Sequence, residues 1–184
     1  MTGDRLSLPD LDTLSPEQQA IADAVASGPR GGVRGPVRLW LHSPELASHA
    51  QKLGEFLRWR TVLETRISEL VILVTCRHYT SHFMWFNHEP HALKAGLAPD
   101  IAEAIKNRRE PDFTRDDEAA AYRFAREVLK EDFVSDHTLG RARRIFGERG
   151  VVEMGALIAH YHSGAIVLSL SDITLPDGTK TCLP

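Results

Sequence analysis

Glu69 and His88 are the two residues of this sequence whose types and spacing best support acid–base chemistry. Each lies in a segment rich in apolar residues with helical periodicity, so the two side chains can meet on adjacent helices. A buried carboxylate beside an imidazole shifts the pKa of both groups and can hold a proton near neutral pH. The sequence therefore predicts a general acid–base pair, with a purely structural polar pair inside a helical core as the alternative.

The helices that must position this pair follow from capping signals and apolar periodicity. Ser-Pro-Glu occurs at 15–17 and again at 43–45, and each marks a helix start. The segment 64–79 is apolar over too wide an arc for a surface helix, so we expect it to be buried on most sides. Pro90 should kink or break the helix that contains His88. Helices are predicted over about 16–27, 43–59, 64–79, 81–95, 99–107, 115–130, 135–146 and 150–169, which gives an all-α fold.

The composition suits a single folded domain. The chain has 184 residues, of which 42% are apolar and 26% charged, and a net charge of −3 that does not favour nucleic-acid binding. We expect one domain over 1–184, with flexible tails at 1–14 and 176–184. The most apolar stretch, 151–170, is interrupted by Glu153, so neither a membrane span nor membrane binding is expected. The N-terminus has no apolar leader, and two cysteines without a paired framework favour a reducing cytoplasm.

Four further residues are candidates for substrate contacts. Arg34, in the glycine-rich segment 28–36, is suited to hold a carboxylate, with a solvated loop arginine as the alternative. Trp85 is a candidate wall of an apolar pocket, although a tryptophan at this helical position also suits the core. His82 or Tyr161 is a candidate for a second polar contact near His88.

The nine histidines raise the question of a metal site. His78 and His82 are four residues apart, a spacing that lets two histidines on one helix face bind a metal ion if a third ligand converges. His88 and His91 are three residues apart. The sequence has no HExxH motif and no His-rich tract with an acidic partner at a fixed step. We therefore expect no metal and no other cofactor.

The spacing of Glu69 and His88 resembles the carboxymuconolactone decarboxylase-like superfamily. In its alkylhydroperoxidase (AhpD-like) members a CxxC pair lies between the glutamate and the histidine, and Ser81 and Met84 occupy those positions here. The chain is therefore similar to the branch that lacks the CxxC pair. The likeness extends over most of the chain, from about 15 to 175, and includes the HxxxAxxxG continuation His88, Ala92 and Gly96.

This resemblance implies a helical domain with an antiparallel core helix pair that assembles into dimers, trimers or hexamers. It implies a cofactor-independent decarboxylase or related lyase acting on a small carboxylated or lactone substrate. His88 would be the general acid–base group, Glu69 would orient it, and His82 would assist. An AhpD-like peroxidase is disfavoured because the cysteine pair is missing. Cys76 is expected to be a small buried residue of the core. A non-catalytic oligomeric binding protein remains the third hypothesis.

Overall fold

The computed structural model describes residues 5–130, 133–176, 178 and 181–184. Within these residues the chain is all-helical, which confirms the predicted fold class, and one isolated bridge pairs Leu6 with Ser171. The helices, in chain order, are α1 (Pro16–Ser27), α2 (Pro36–Trp40), α3 (Pro44–Trp59), α4 (Thr65–His78), α5 (His82–Lys94), α6 (Pro99–Lys106), α7 (Asp116–Lys130) and α8 (Asp136–Ser169).

Local signals set several helix ends where they are expected. Ser15 and Gln18 form a reciprocal capping box at the start of α1, and the Ser135 side chain accepts a hydrogen bond at the start of α8. Gly96 follows α5 with a φ of 94°, a conformation that suits glycine at a helix C-terminus. Gly147, with a φ of 68°, divides α8 into the two helical segments that the sequence predicts.

The structure adds one helix to the predicted elements and gives further detail at Pro90 and at the two ends of the chain. The short helix α2 has no counterpart among the predicted elements. Helix α5 runs through Pro90 without a break. Both expected tails have contacts: Arg38 donates to the Pro9 carbonyl, and Leu183 is buried with the main core.

Helix α4 is the centre of the fold. Its residues from 66 to 77 are all buried, and it contacts α3, α5, α6, α7 and α8. This confirms the burial expected from its wide apolar arc. The turn that joins α4 to α5 spans only three residues, 79–81, so these two helices pack against each other and bring Glu69 and His88 together.

Helix α8 is long and apolar enough to cross a membrane by length and composition, with a mean hydropathy of 1.3 over its most apolar window. Its apolar residues Met154, Leu157 and Ile158 are buried within the chain, where they join the core around α4. Glu153 on the same helix accepts a hydrogen bond from the Val62 amide. These contacts are those of a core helix.

Candidate active site

Glu69 and His88 form a buried hydrogen-bonded pair between α4 and α5. The distance from His88 Nδ1 to Glu69 Oε2 is 2.7 Å, and the two side chains are 9% and 3% exposed. Arg58 on α3 lies on the other side of the carboxylate, with its Nε 3.6 Å from Glu69 Oε1. The carboxylate is therefore held between an imidazole and a guanidinium.

The protonation state of the pair follows from its surroundings. Burial opposes ionisation of Glu69, but His88 and Arg58 outweigh it and lower the pKa of the carboxyl below its usual value. Burial lowers the pKa of His88 despite the neighbouring carboxylate. At neutral pH the imidazole is then uncharged beside an ionised Glu69. Because a carboxylate can only accept hydrogen bonds, Nδ1 carries the proton and Nε2 has the free lone pair.

His88 lines a cavity of about 150 Å³, the central cavity. Such a volume suits a small ligand more than a large cofactor. Its lining residues come from the loop after α1 and from α2, α3, α5 and α8, and they are Arg30, Arg34, Pro36, Val37, Trp40, Arg58, Phe83, Met84, Asn87, His88, His91, His160, Tyr161 and Gly164.

One face of α5 supplies five of these lining residues, at positions 83, 84, 87, 88 and 91. The spacing is that of a helical face, and His88 lies at its edge, next to the buried stripe of the same helix. His88 can therefore contact Glu69 within the core and the cavity at the same time. This explains how a buried acid–base pair remains accessible to a small molecule.

Three arginines give the central cavity a positive charge. Arg30, Arg34 and Arg58 all line it, and all three also line a wider outer cleft of about 720 Å³ that adjoins it. Burial lowers the pKa of Arg30, yet a guanidinium remains charged at neutral pH. Within the described residues the Arg30 Nε is buried and has no hydrogen-bond partner. The charge of the three guanidinium groups favours a carboxylate or a similar anion in the site.

The glycine-rich loop positions these arginines. Gly35 has a φ of 55°, and a Cβ at this position would lie 2.6 Å from the Phe83 ring. Glycine is therefore required here both by backbone conformation and by the close approach to α5. The loop then enters α2, whose Pro36, Val37 and Trp40 form an apolar wall of the cavity.

Tyr161 and His160 complete the cavity from α8. The Tyr161 ring meets the His88 ring edge to face, with centroids 4.9 Å apart, and burial raises the pKa of the phenol, so its hydroxyl stays protonated. Burial and the charge of Arg30 lower the pKa of His160 to about 4. Tyr161 can thus donate a hydrogen bond to a ligand, while His160 is neutral.

The structure brings four of the six predicted site residues together and places two elsewhere. Glu69, His88, Arg34 and Tyr161 lie at the central cavity or the adjoining outer cleft. Trp85 is fully buried in the core and does not line the cavity, because its helical position lies about 60° beyond His88 on α5.

His82 is the second predicted residue that does not reach the cavity. It lies on the opposite side of α5, where its Nδ1 accepts hydrogen bonds from the backbone amides of Cys182 and Leu183 at 3.1 and 3.2 Å. His82 therefore anchors the C-terminal segment, and the structure gives it no contact with the acid–base pair. Burial and the nearby Arg77 lower its pKa.

Among the residues that the structure describes, no group of three His, Cys, Asp or Glu side chains is arranged to hold a metal ion. His78 and His82 are separated by the turn between α4 and α5 and do not share one helix face. His78 instead lines a different cavity, at the far end of α4.

No protein-family model matches this chain, and no curated protein matches it. The resemblance to the carboxymuconolactone decarboxylase-like superfamily, over about residues 15 to 175, remains a prediction from the sequence.

Sequence reasoning did not identify Arg30, Arg58, Asn87 or His160 as site residues. Arg58 contacts Glu69 through the packing of α3 on α4, a contact between residues of different helices. A local motif carries no signal for such a contact. A local signal did exist for two of them, since Asn87 directly precedes His88 and His160 directly precedes Tyr161.

Proposed function

We propose that this chain is a cofactor-independent acid–base enzyme, a decarboxylase or related lyase of the carboxymuconolactone decarboxylase-like type, acting on a small carboxylated or lactone substrate. The observation that carries the proposal is the buried Glu69–His88 pair, 2.7 Å apart, at the wall of an arginine-lined cavity. His88 transfers the proton, and Glu69 fixes the ring tautomer and stabilises the imidazolium.

Both reaction types pass through an enolate. In a decarboxylation the substrate carboxylate leaves as carbon dioxide, and the electrons of the broken bond pass to a conjugated carbonyl. His88, uncharged at rest, takes up a proton from solvent and delivers it to the carbon, which returns the ring to its neutral form. In a related lyase reaction, neutral His88 removes a proton from a carbon next to the carbonyl and forms the same kind of enolate. The proton exchange between His88 and carbon is common to both.

The charge of the central cavity supports an anionic substrate. Arg30 and Arg34 are free to bind a carboxylate, whereas Arg58 is already beside Glu69. The Tyr161 hydroxyl and the Asn87 amide are suited to the carbonyl oxygen of an enolate, where hydrogen-bond donors stabilise the developing charge. The apolar wall from Trp40, Phe83 and neighbouring residues limits water around the reacting carbon.

The peroxidase alternative has less support. Cys76 is fully buried, and burial together with the Glu69 charge raises the pKa of its thiol well above the usual value. A reactive cysteine needs an accessible thiolate. Cys182 lies at the other side of α5, where its Sγ is 3.2 Å from the His82 carbonyl oxygen.

The proposal can be tested without knowing the natural substrate. A series of small carboxylated lactones is incubated with the protein in D₂O and followed by NMR for deuterium entry at carbon and for loss of carbon dioxide. We expect exchange that His88→Gln slows by about 10²-fold or more. His49→Gln is the matched control, because His49 is an exposed histidine on α3.

Two outcomes would contradict the proposal. If no lactone in the series exchanges faster with the protein than without it, the proposed substrate class is wrong. If His88→Gln leaves the exchange rate unchanged, His88 is not the group that transfers the proton. Saturable binding of a lactone acid without any exchange would favour the non-catalytic binding protein instead.

We also propose that the chain forms a homo-oligomer. Leu46 and Leu53 on α3 are about half exposed and lie seven residues apart, close to two helical turns, so they share one face. Exposed apolar residues of this kind are suited to burial between subunits. Light scattering at micromolar concentration should report a dimer or larger, and a stable monomer of 20.5 kDa would contradict the proposal.

A further inference from the structure

A second cavity, which we call the basic cavity, lies at the far end of α4 from Glu69. Its volume is about 350 Å³, within the range of small-molecule sites. Val74 and Ile105 contribute apolar surface together with Leu129, and the rim contains Arg108, Arg109, Arg126 and Lys130. Glu69 and His78 are nine residues apart on α4, about 13 Å along the axis, so this cavity is separate from the central one.

The rim cations are not neutralised by the described residues. None of Arg108, Arg109, Arg126 and Lys130 forms an ion pair with a carboxylate there, and no carboxylate lines the cavity. Arg108 bonds to Thr80, and Arg126 bonds to the Tyr122 hydroxyl. Arg109 and Lys130 have no side-chain hydrogen bond within the described residues.

Two nearby carboxylates and a buried arginine have partners of their own and still contribute to the charge of this region. Glu110 and Glu127 lie in an adjoining groove, where Glu110 accepts a hydrogen bond from Tyr122 and Glu127 accepts from Ser135 and Thr138. Arg77, which also lines the basic cavity, donates to the Lys106 and Pro184 carbonyls and to Thr80. Arg77 is therefore part of the fold, and the four rim cations remain for a ligand.

Helix dipoles do not account for these charges. The C-terminal ends of α4, α6 and α7 meet at this cavity, and basic residues near such ends offset the partial negative charge of the helix. Five cations line the cavity when Arg77 is included, and each helix end supplies about half a negative charge, so three ends offset about one and a half of these charges. In the adjoining groove Glu110 and Glu127 offset two more, and Arg123 restores one. A surplus of about two positive charges remains among the described residues.

We propose that the basic cavity binds a small phosphorylated ligand with an apolar or aromatic body, of the chemical class of a nucleoside diphosphate. The surplus charge matches a group with two or more negative charges, which a single carboxylate does not provide. Guanidinium groups bind phosphate oxygens in pairs, and the surface of Val74, Ile105 and Leu129 accommodates the apolar portion.

The test measures binding of three probes to the full chain by isothermal titration calorimetry. ADP carries both portions of the proposed ligand, inorganic pyrophosphate carries the charge alone, and adenosine carries the ring system alone. We expect ADP to bind with one site per chain, pyrophosphate to compete with it, and adenosine not to bind. Raising the salt concentration should weaken ADP binding, since the attraction is largely between charges.

The double variant Arg109→Gln/Lys130→Gln removes two rim charges whose side chains make no hydrogen bond in the described residues, so folding should be retained. It should weaken ADP binding at least tenfold. Arg108→Gln/Arg126→Gln should do the same and serves as the second pair. Arg144→Gln is the matched control, because Arg144 is exposed on α8 and lines neither cavity.

Three outcomes would overturn the inference. They are the absence of ADP and pyrophosphate binding at millimolar concentration, binding that both double variants retain, and binding that Arg34→Gln abolishes, which would place the ligand in the central cavity. Loss of thermal stability in both double variants, with no binding by the wild type, would show that the cations only stabilise helix ends.

Discussion

Replacing Glu69 by glutamine gives the most direct test of the acid–base pair. The change keeps the size of the side chain and removes the negative charge 2.7 Å from His88 Nδ1. It also leaves Arg58, 3.6 Å from the Glu69 carboxylate, without its partner. Both effects oppose a positive charge on the His88 ring.

The size of the effect follows from the geometry. Two unit charges about 4 Å apart attract each other by about 4 kcal/mol at an effective dielectric constant of about 20. If the proton is about half transferred in the transition state, the variant loses about 2 kcal/mol of transition-state stabilisation, which is a factor of about 30 in rate. Glutamine can present either its amide oxygen or its NH₂ group to Nδ1, so the Nδ1–H tautomer is no longer fixed, and the expected reduction rises to about 10²-fold.

The assay compares deuterium exchange per folded molecule in the wild type and in Glu69→Gln, with the folded fraction measured by circular dichroism. NMR titration of the His88 ring should also show a pKa lower than in the wild type. Glu148→Gln is the control, since it removes a carboxylate whose side chain is 79% exposed. An unchanged exchange rate combined with reduced thermal stability would refute the reasoning and show that the pair is structural.

Three further predictions concern the free energy of unfolding and the Cys76 thiol. The pKa of His160 is about 4 in the folded chain against about 6.5 when unfolded, so the unfolded chain binds more protons between these values. Stability to urea should therefore fall by up to about 3 kcal/mol as the pH is lowered from 6.5 to 4, and less in His160→Gln. Arg66 pairs with Asp117 and with the buried Glu118, so Arg66→Met should cost about 3–5 kcal/mol of unfolding free energy. Cys76→Ala should retain exchange activity, and neither variant nor wild type should reduce peroxide with dithiols.

Each of these predictions has a result that contradicts it. Equal losses of stability with pH in the wild type and His160→Gln would exclude His160 as the titrating group. Arg66→Met should cost far more than Arg141→Met, which breaks an ion pair with the largely exposed Asp116, and equal costs would be inconsistent with a buried network. Dithiol-dependent peroxide turnover that Cys76→Ala abolishes would favour the peroxidase alternative.

The sequence was sufficient for the elements that depend on local chemistry. The capping box at Ser15 and Gln18, the break at Gly147 and the burial of α4 follow from residue types within a few positions of each other. The tight turn at 79–81 also made the contact between Glu69 and His88 predictable, because both residues lie on helices that are neighbours along the chain.

Pro90 shows where local reasoning gives an incomplete answer. A proline removes one backbone hydrogen bond, but α5 continues to Lys94 because residues on both sides of Pro90 are held by packing, with His88 against Glu69 and Ala92 in the core. Tertiary contacts can maintain a helix through a residue that would end an isolated one.

The sequence by itself determined the all-α class, the main helices and the contact between Glu69 and His88, because periodicity and capping act over one or two helical turns. What only the tertiary structure decided is the surroundings of that pair. Arg58 reaches Glu69 from α3, Tyr161 reaches His88 from α8, and His82 faces the C-terminal segment instead. These placements depend on how distant helices pack and rotate against each other. Charge, burial and accessibility at a site are set by that packing, and no local pattern encodes it.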